Sequence, residues 1–262
     1  MTTLDADTLR QGIEARSGRG CLVDVFAELP STNAWLMSRA DTLDVPHLCV
    51  AETQTAGRGR RGRQWLSPQS GVTFSIGYRF ACNPSELGGL SLVVACAVVS
   101  ALESLGASGL SLKWPNDIQF EGRKLCGILI ETTSAKGAST PTVTGVGLNY
   151  IGETRDDVID QPFVELCEVV PTLPERQDVI SAITAEVLTE YARFEQKGIA
   201  PCLSRWRLYD ALAGRDVRID RVGSDPVCGR ALGLNASGEL QIETSAGVQV
   251  FQSGEVSVRL SA

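Results

Sequence analysis

Four guanidinium groups fall within the run Gly57-Arg58-Gly59-Arg60-Arg61-Gly62-Arg63 of a 262-residue chain. Like charges this close repel, so the run is costly unless an anion sits among them. The interleaved glycines leave the backbone free to turn amide N–H groups toward such an anion, and arginine's planar fork matches phosphate oxygens. The run lacks the closing Gly-Lys-Ser/Thr of a Walker A loop. A solvated Arg/Gly loop and a nucleic-acid contact patch share its composition. The formal net charge of −7 favours a small phosphate ligand over a long polyanion.

Three further segments carry side chains suited to chemistry. In Lys113-Trp114-Pro115-Asn116-Asp117, Pro115 holds Trp114 extended and lacks a donor, so a strand ends there in a sharp turn. That turn can present Asn116 and Asp117 to a pocket, or be a plain Pro-Asn-Asp turn. In Arg123-Lys124-Leu125-Cys126-Gly127-Ile128-Leu129-Ile130-Glu131, two cations open an apolar strand and Gly127 interrupts its interior. In Gly145-Val146-Gly147-Leu148-Asn149, two glycines alternate on one face. Across a sheet these glycines read as a smooth floor for a planar group, with β-bulges as the alternative. Ser31-Thr32-Asn33 is first a helix cap whose hydroxyls also suit a polar ligand. The lone His47 has no Ser or Cys partner in the sequence, and neither a Ser-His-Asp set nor metal-ligand spacing occurs.

The elements that must position these groups follow from periodicity. Residues 7–16 read as a helix, 22–29 as a strand, and a helix capped by Ser31 or Thr32 follows. Residues 47–53 read as a strand, 54–68 as a polar loop, 72–80 as a strand and 85–105 as a mostly apolar helix. Strands at 110–114, 117–120, 123–133 and 142–149 form an antiparallel meander, with a turn at Glu121-Gly122 and a connection over 136–141. An acidic loop covers 150–161, and helices cover 178–197 and 201–209. From Gly214 the texture changes to short alternating strands at 217–219, 227–234, 240–242, 248–251 and 256–260. The chain reads as α+β: a catalytic domain over residues 1–213, a mixed sheet with flanking helices, and a small β-barrel over 214–262.

A hydrophobic content of 43% and a charged content of 21% exclude collagenous and wholly disordered classes. Eight cysteines without a C-x-x-C pair, several in apolar runs, point to free thiols in a reducing compartment and away from zinc. The N-terminus has no signal peptide and the longest apolar run is too short for a membrane span, so the expectation is a cytoplasmic protein with no membrane partner.

Taken together the motifs resemble biotin–protein ligases. The matching strings, in order, are Ser31-Thr32-Asn33, Gln54 through Trp65, Lys113 through Asp117, Arg123 through Leu129, and Gly145 through Asn149. The resemblance runs from about residue 23 to the C-terminus. It implies a class II synthetase-like catalytic domain with an SH3-like C-terminal barrel. It also implies a two-step reaction, in which biotin and Mg·ATP give biotinyl-5′-AMP and pyrophosphate. A lysine of the biotin carboxyl carrier protein of acetyl-CoA carboxylase then takes the biotinyl group. By resemblance Lys124, Arg58 and Arg60 are catalytic. Biotin is held by Ser31, Thr32, Asn33, Gln54, Gly57, Arg58, Gly59, Arg60, Lys124, Gly127 and Gly145. ATP and the adenylate are held by Arg60, Trp65, Asn116, Asp117, Lys124, Gly147 and Asn149, with Mg²⁺ bound through the ATP phosphates and no dedicated metal site. The resemblance also implies that the Gly/Arg loop closes on ligand.

Some relatives carry an N-terminal helix-turn-helix repressor domain. Some twenty residues precede the resemblance here, so a ligase without repressor function and without DNA as a partner is expected. Relatives can self-associate through a sheet edge, which leaves a homodimer open. Some place a tryptophan over the adenine in the loop after the position of Asn149, where past Tyr150 the nearest aromatic here is Phe163. A lipoate–protein ligase is the runner-up, and a biotin-binding regulator without turnover a third reading.

Overall fold

A computed structural model describes residues 4–66, 71–133, 139–151, 162–221, 225–253 and 256–260. Its larger part is built on a seven-stranded sheet of order β1-β2-β3-β7-β6-β5-β4. The strands are β1 (Leu22–Leu29), β2 (His47–Gln54), β3 (Val72–Phe80), β4 (Leu110–Lys113), β5 (Asp117–Phe120), β6 (Arg123–Thr132) and β7 (Thr140–Leu148). Only the β1–β2 pair is parallel, so the sheet is mixed.

The helices divide between the two faces. α1 (Ala6–Ser17), α3 (Leu90–Ser104), α5 (Arg176–Lys197) and α6 (Ala200–Tyr209) enclose the main core with one face. α3 is apolar nearly all round because it lies within this core, and its Leu90, Val94, Val98 and Leu102 are essentially inaccessible. Each such side chain contributes roughly 1.5–3 kcal/mol by burial. α2 (Thr32–Met37) covers the other face through a small cluster of Leu36, Leu43, Cys49 and Val143. The expected helix over 85–105 is shorter: Gly89, at φ 77°, breaks the run, and Pro84–Leu87 forms a separate 3-10 turn. β7 starts two residues earlier than expected, with Thr140 and Pro141 paired to Phe80 and Arg79. A short helix α4 (Leu166–Val169), capped reciprocally by Glu165 and Glu168, was not anticipated. Most of the acidic loop over 150–161, and part of the 136–141 connection, lie outside the described residues.

The C-terminal unit comprises β8 (Asp216–Arg221), β9 (Val227–Leu234), β10 (Leu240–Thr244), β11 (Gly247–Phe251) and β12 (Val256–Leu260). They form one antiparallel sheet of order β11-β10-β9-β8-β12. These five strands make up the expected small all-β C-terminal unit; no β11–β12 ladder occurs among the described residues. It is anchored to the larger unit at the end of β4. The buried Trp114 indole donates to Gly238 O at 3.1 Å. No described helix is long and apolar enough to cross a membrane.

Candidate active site

Strand alternation separates the sheet's two faces. On β3, Phe74 and Ile76 enter the main core while Thr73 and Ser75 face the other way, and β7 and β6 continue the pattern. The register sets two rows across three strands: Ser75–Gly145–Leu129 and Thr73–Gly147–Gly127. No bulge interrupts these ladders, which removes the bulge alternative for the glycines. They floor a cleft of about 770 Å³. The cleft is lined by Ser31, Thr32, Asn33, Gln54, Arg58, Gly59, Arg60, Trp65, Asn116, Asp117, Lys124, Gly127, Gly145, Gly147 and Asn149, every candidate except Gly57. The floor is not bare. Asn33 lies over Gly145 and the Trp65 indole over Gly147, each so close that an added Cβ would collide with it.

At one end the polar groups are paired among themselves. Ser31 caps α2, its side chain accepting from Ala34 N. Gln54 Oε1 accepts from Thr32 N at 2.8 Å and lies 3.1 Å from Thr32 Oγ1. Thr32 Oγ1 meets Ser75 Oγ at 2.7 Å, Ser75 Oγ donates to Asn33 Oδ1 at 2.5 Å, and Asn33 Nδ2 donates to Glu131 Oε2 at 2.8 Å. All but Gln54 and Glu131 are buried, so each hydrogen bond offsets a desolvation cost.

The Gly/Arg run is a small hairpin rather than an open coil. Trp65 N donates to Gly57 O, Gly59 N donates to Arg63 O at 2.7 Å, and Arg58 bridges to Gln64. Gly57 stands behind the cleft, where a Cβ would strike the Trp65 carbonyl, and the tip turns through Arg61 (φ 58°) and Gly62 (φ 73°). The Gly59 amide is therefore spent inside the loop, which corrects the expectation that the loop's amides are free to curl around an anion. Its guanidiniums supply the charge instead.

The other end is cationic. Lys124 Nζ is 2.7 Å from Asp117 Oδ1, and Arg60 Nη1 donates to Asn116 Oδ1 at 3.0 Å. Asn116 is itself fixed, its Nδ2 donating to Ile128 O at 2.6 Å. Asn149 Nδ2 donates to Lys124 O at 3.0 Å, so Asn149 sets the backbone that carries Lys124. Burial pulls the Arg60 guanidinium below its ordinary pKa, with Arg61 and Arg63 adding to the shift and Asp117 opposing it. Burial likewise lowers Lys113; Asp117 opposes, and Lys124, Arg259 and Arg63 add to the shift. Cys126, two residues from Lys124, has its thiol pushed up to about 12 by burial and stays protonated, so it is no nucleophile.

Several residues of the site escaped sequence reasoning. Ser75 does not line the cleft but bonds to Thr32 and Asn33, which do; a hydroxyl on a strand buried on both faces was the available signal. Lys113 had no assigned role, and Phe163 reaches the cleft because residues 162–164 pair with Lys124. Ser257 and Arg259 arrive from β12, which no local pattern could place there. His47 lies outside the lining, 2.6 Å from Asp24 on the β1–β2 edge. No group of three or more His, Cys, Asp or Glu able to hold a metal occurs among the described residues.

Comparison with known proteins matches this layout. Residues 25–149 match the Biotin/lipoate A/B protein ligase family, and residues 213–259 match the Biotin protein ligase C terminal domain. The chain is 34% identical to the bifunctional ligase/repressor BirA of Salmonella typhimurium, over 98% of this chain and 78% of that protein. It is 32% identical to the biotin–(acetyl-CoA carboxylase) ligase of Mycobacterium tuberculosis, over 96% and 98%. The chain belongs to the biotin protein ligase family. This ligase also superposes on the Aquifex aeolicus biotin protein ligase in complex with biotin and ATP, with a TM-score of 0.78 and 29% identity over 92% of this chain and 99% of that one. The match to the C-terminal domain of biotin protein ligases places it with the biotin rather than the lipoate enzymes.

Proposed function

We propose that this ligase activates biotin with ATP and transfers it to a lysine of a biotin carboxyl carrier protein of acetyl-CoA carboxylase. The observation that supports this most is the convergence of Lys124 and Arg60 on the Asn116–Asp117 turn, beside a floor of glycines. In the first step a biotin carboxylate oxygen attacks the α-phosphorus of ATP and pyrophosphate leaves. Both reactants are anions, so the main obstacle is repulsion, which preorganised cations offset without a protein nucleophile. Lys124 and Arg60 stabilise the charge developing between carboxylate and phosphate. Lys113, Arg63 and Arg259 face the leaving pyrophosphate. The paired hydroxyls and amides at the far end hold the polar ring of biotin, and Phe163 packs on the adenine. In the second step the neutral ε-amine of the carrier lysine attacks the acyl carbon; an amide forms, AMP leaves and the proton passes to solvent.

Asp117 is the only acid among the described residues lining the cleft. One carboxylate beside polyphosphate fits Mg²⁺, which keeps several waters and binds chiefly through phosphates. Asp117 with Asn116 would hold it, and it would screen the phosphate charge. The test is incubation with biotin, MgATP and a carrier domain, read by mass spectrometry. One added biotinyl group on a single lysine is the expected result, and an unmodified carrier contradicts the proposal.

A further inference from the structure

Glu131, at the end of the Arg123–Glu131 segment, does not line the cleft, yet two walls of the acid-binding end meet on it. It is two residues beyond Leu129 and four beyond Gly127 on β6, so the strand period puts it on the cleft face. One oxygen, Oε2, accepts from Asn33 Nδ2 at 2.8 Å and from Arg58 Nη2 at 2.9 Å. Asn33 belongs to α2; Arg58 opens the hairpin loop. The chain of contacts runs from Gln54 through Thr32, Ser75 and Asn33 to Glu131, and ends on the loop. With its Nδ2 on Glu131 and its Oδ1 on Ser75, the Asn33 amide has one orientation. A half-buried carboxylate between two donors, one of them charged, is a strong acceptor.

We propose that Glu131 is a positioning residue for the acid substrate. It sets the amide of Asn33 and clamps Arg58, so that the loop meets the floor of the cleft in one geometry. The inference rests on the reading that this end of the cleft takes biotin. An opposing effect exists, since removing the carboxylate leaves a barer Arg58 that favours an anionic acid. Arg58 is 47% exposed, so solvent screens that effect, whereas the lost geometry acts directly on the pocket. The net result is weaker biotin binding.

The experiment measures biotin affinity by calorimetry without ATP, and pyrophosphate exchange kinetics, for the wild type, Glu131→Ala, Glu131→Gln, Arg58→Ala and the Glu131→Ala/Arg58→Ala double variant. Glu131→Ala weakens biotin binding roughly tenfold. The KM for ATP, and kcat at saturating biotin, stay within about twofold, a split that general destabilisation does not produce. Glu131→Gln keeps an acceptor for both donors and recovers most of the loss. The double variant loses less than the product of the single losses. Unchanged or tighter biotin binding in both Glu131 variants, or losses that simply multiply, overturn the proposal. Biotin-dependent exchange by the wild type keeps these outcomes separate from failure of the function itself: a wild type that ignores biotin overturns both.

Discussion

The two ends of the cleft are built on opposite principles. At the Ser31–Gln54 end, donors and acceptors are matched before any ligand arrives, from Gln54 to Thr32 to Ser75 to Asn33 to Glu131. At the Lys113–Lys124 end the balance is deliberately unequal. The described residues lining the whole cleft hold seven cations, Arg58, Arg60, Arg61, Arg63, Lys113, Lys124 and Arg259, against the single carboxylate of Asp117. One end stores order and the other stores repulsion. Order selects a neutral polar ring by shape and hydrogen bonds; repulsion is relieved by a polyanion and by charge that develops in the reaction. Lys113 and Arg60 are both held below their ordinary pKa, mainly by burial and further by neighbouring cations.

If the ends differ in this way, substitutions should separate by end and by kinetic parameter. Lys124→Ala removes the cation proposed to act at the reacting atoms, and pyrophosphate exchange should fall by about a thousandfold while thermal unfolding shows a folded chain. Exchange near the wild-type rate would remove Lys124 from its role. Gly145→Ala drives a methyl into Asn33 Oδ1. The KM for biotin should rise about ten- to a hundredfold with the KM for ATP little changed, and a rise in both would blur the comparison. Arg259→Ala should raise the KM for ATP about tenfold and leave biotin affinity alone, which ligand titrations can read directly.

The smallest effect is a pH dependence. A lysine held below its ordinary pKa gives up its proton earlier as pH rises. ATP favours the charged form, so the KM for ATP should climb at a lower pH than an unperturbed lysine allows. In Lys113→Arg, whose guanidinium stays charged, that climb should move to higher pH. An unchanged profile would mean that Lys113 does not face the nucleotide.

Much of this was legible in the sequence because its causes are local. Ser31 caps α2 where a Ser-Thr-Asn stretch precedes an apolar helix, and Glu121-Gly122 turns β5 into β6 with both residues at positive φ. The glycines of β6 and β7 announced a floor because a bare backbone in a strand interior needs a reason. What lies on that floor was not legible. Asn33 and Trp65 reach Gly145 and Gly147 through tertiary packing, and local spacing carries no record of that. Glu131 was hidden in an apolar strand, and Arg259 depends on how the small domain docks on Trp114. The Gly/Arg run misled in one respect: it folds as a hairpin in which the Gly59 and Arg63 amides bond within the loop.

The central claim is that the ordered end selects biotin while the cationic end drives adenylation, and one measurement addresses both. ATP–pyrophosphate exchange in the presence of Mg²⁺, with biotin, lipoate or octanoate as the acid, should proceed with biotin alone. Exchange supported by lipoate or octanoate instead, or by no acid at all from a folded chain, would contradict it.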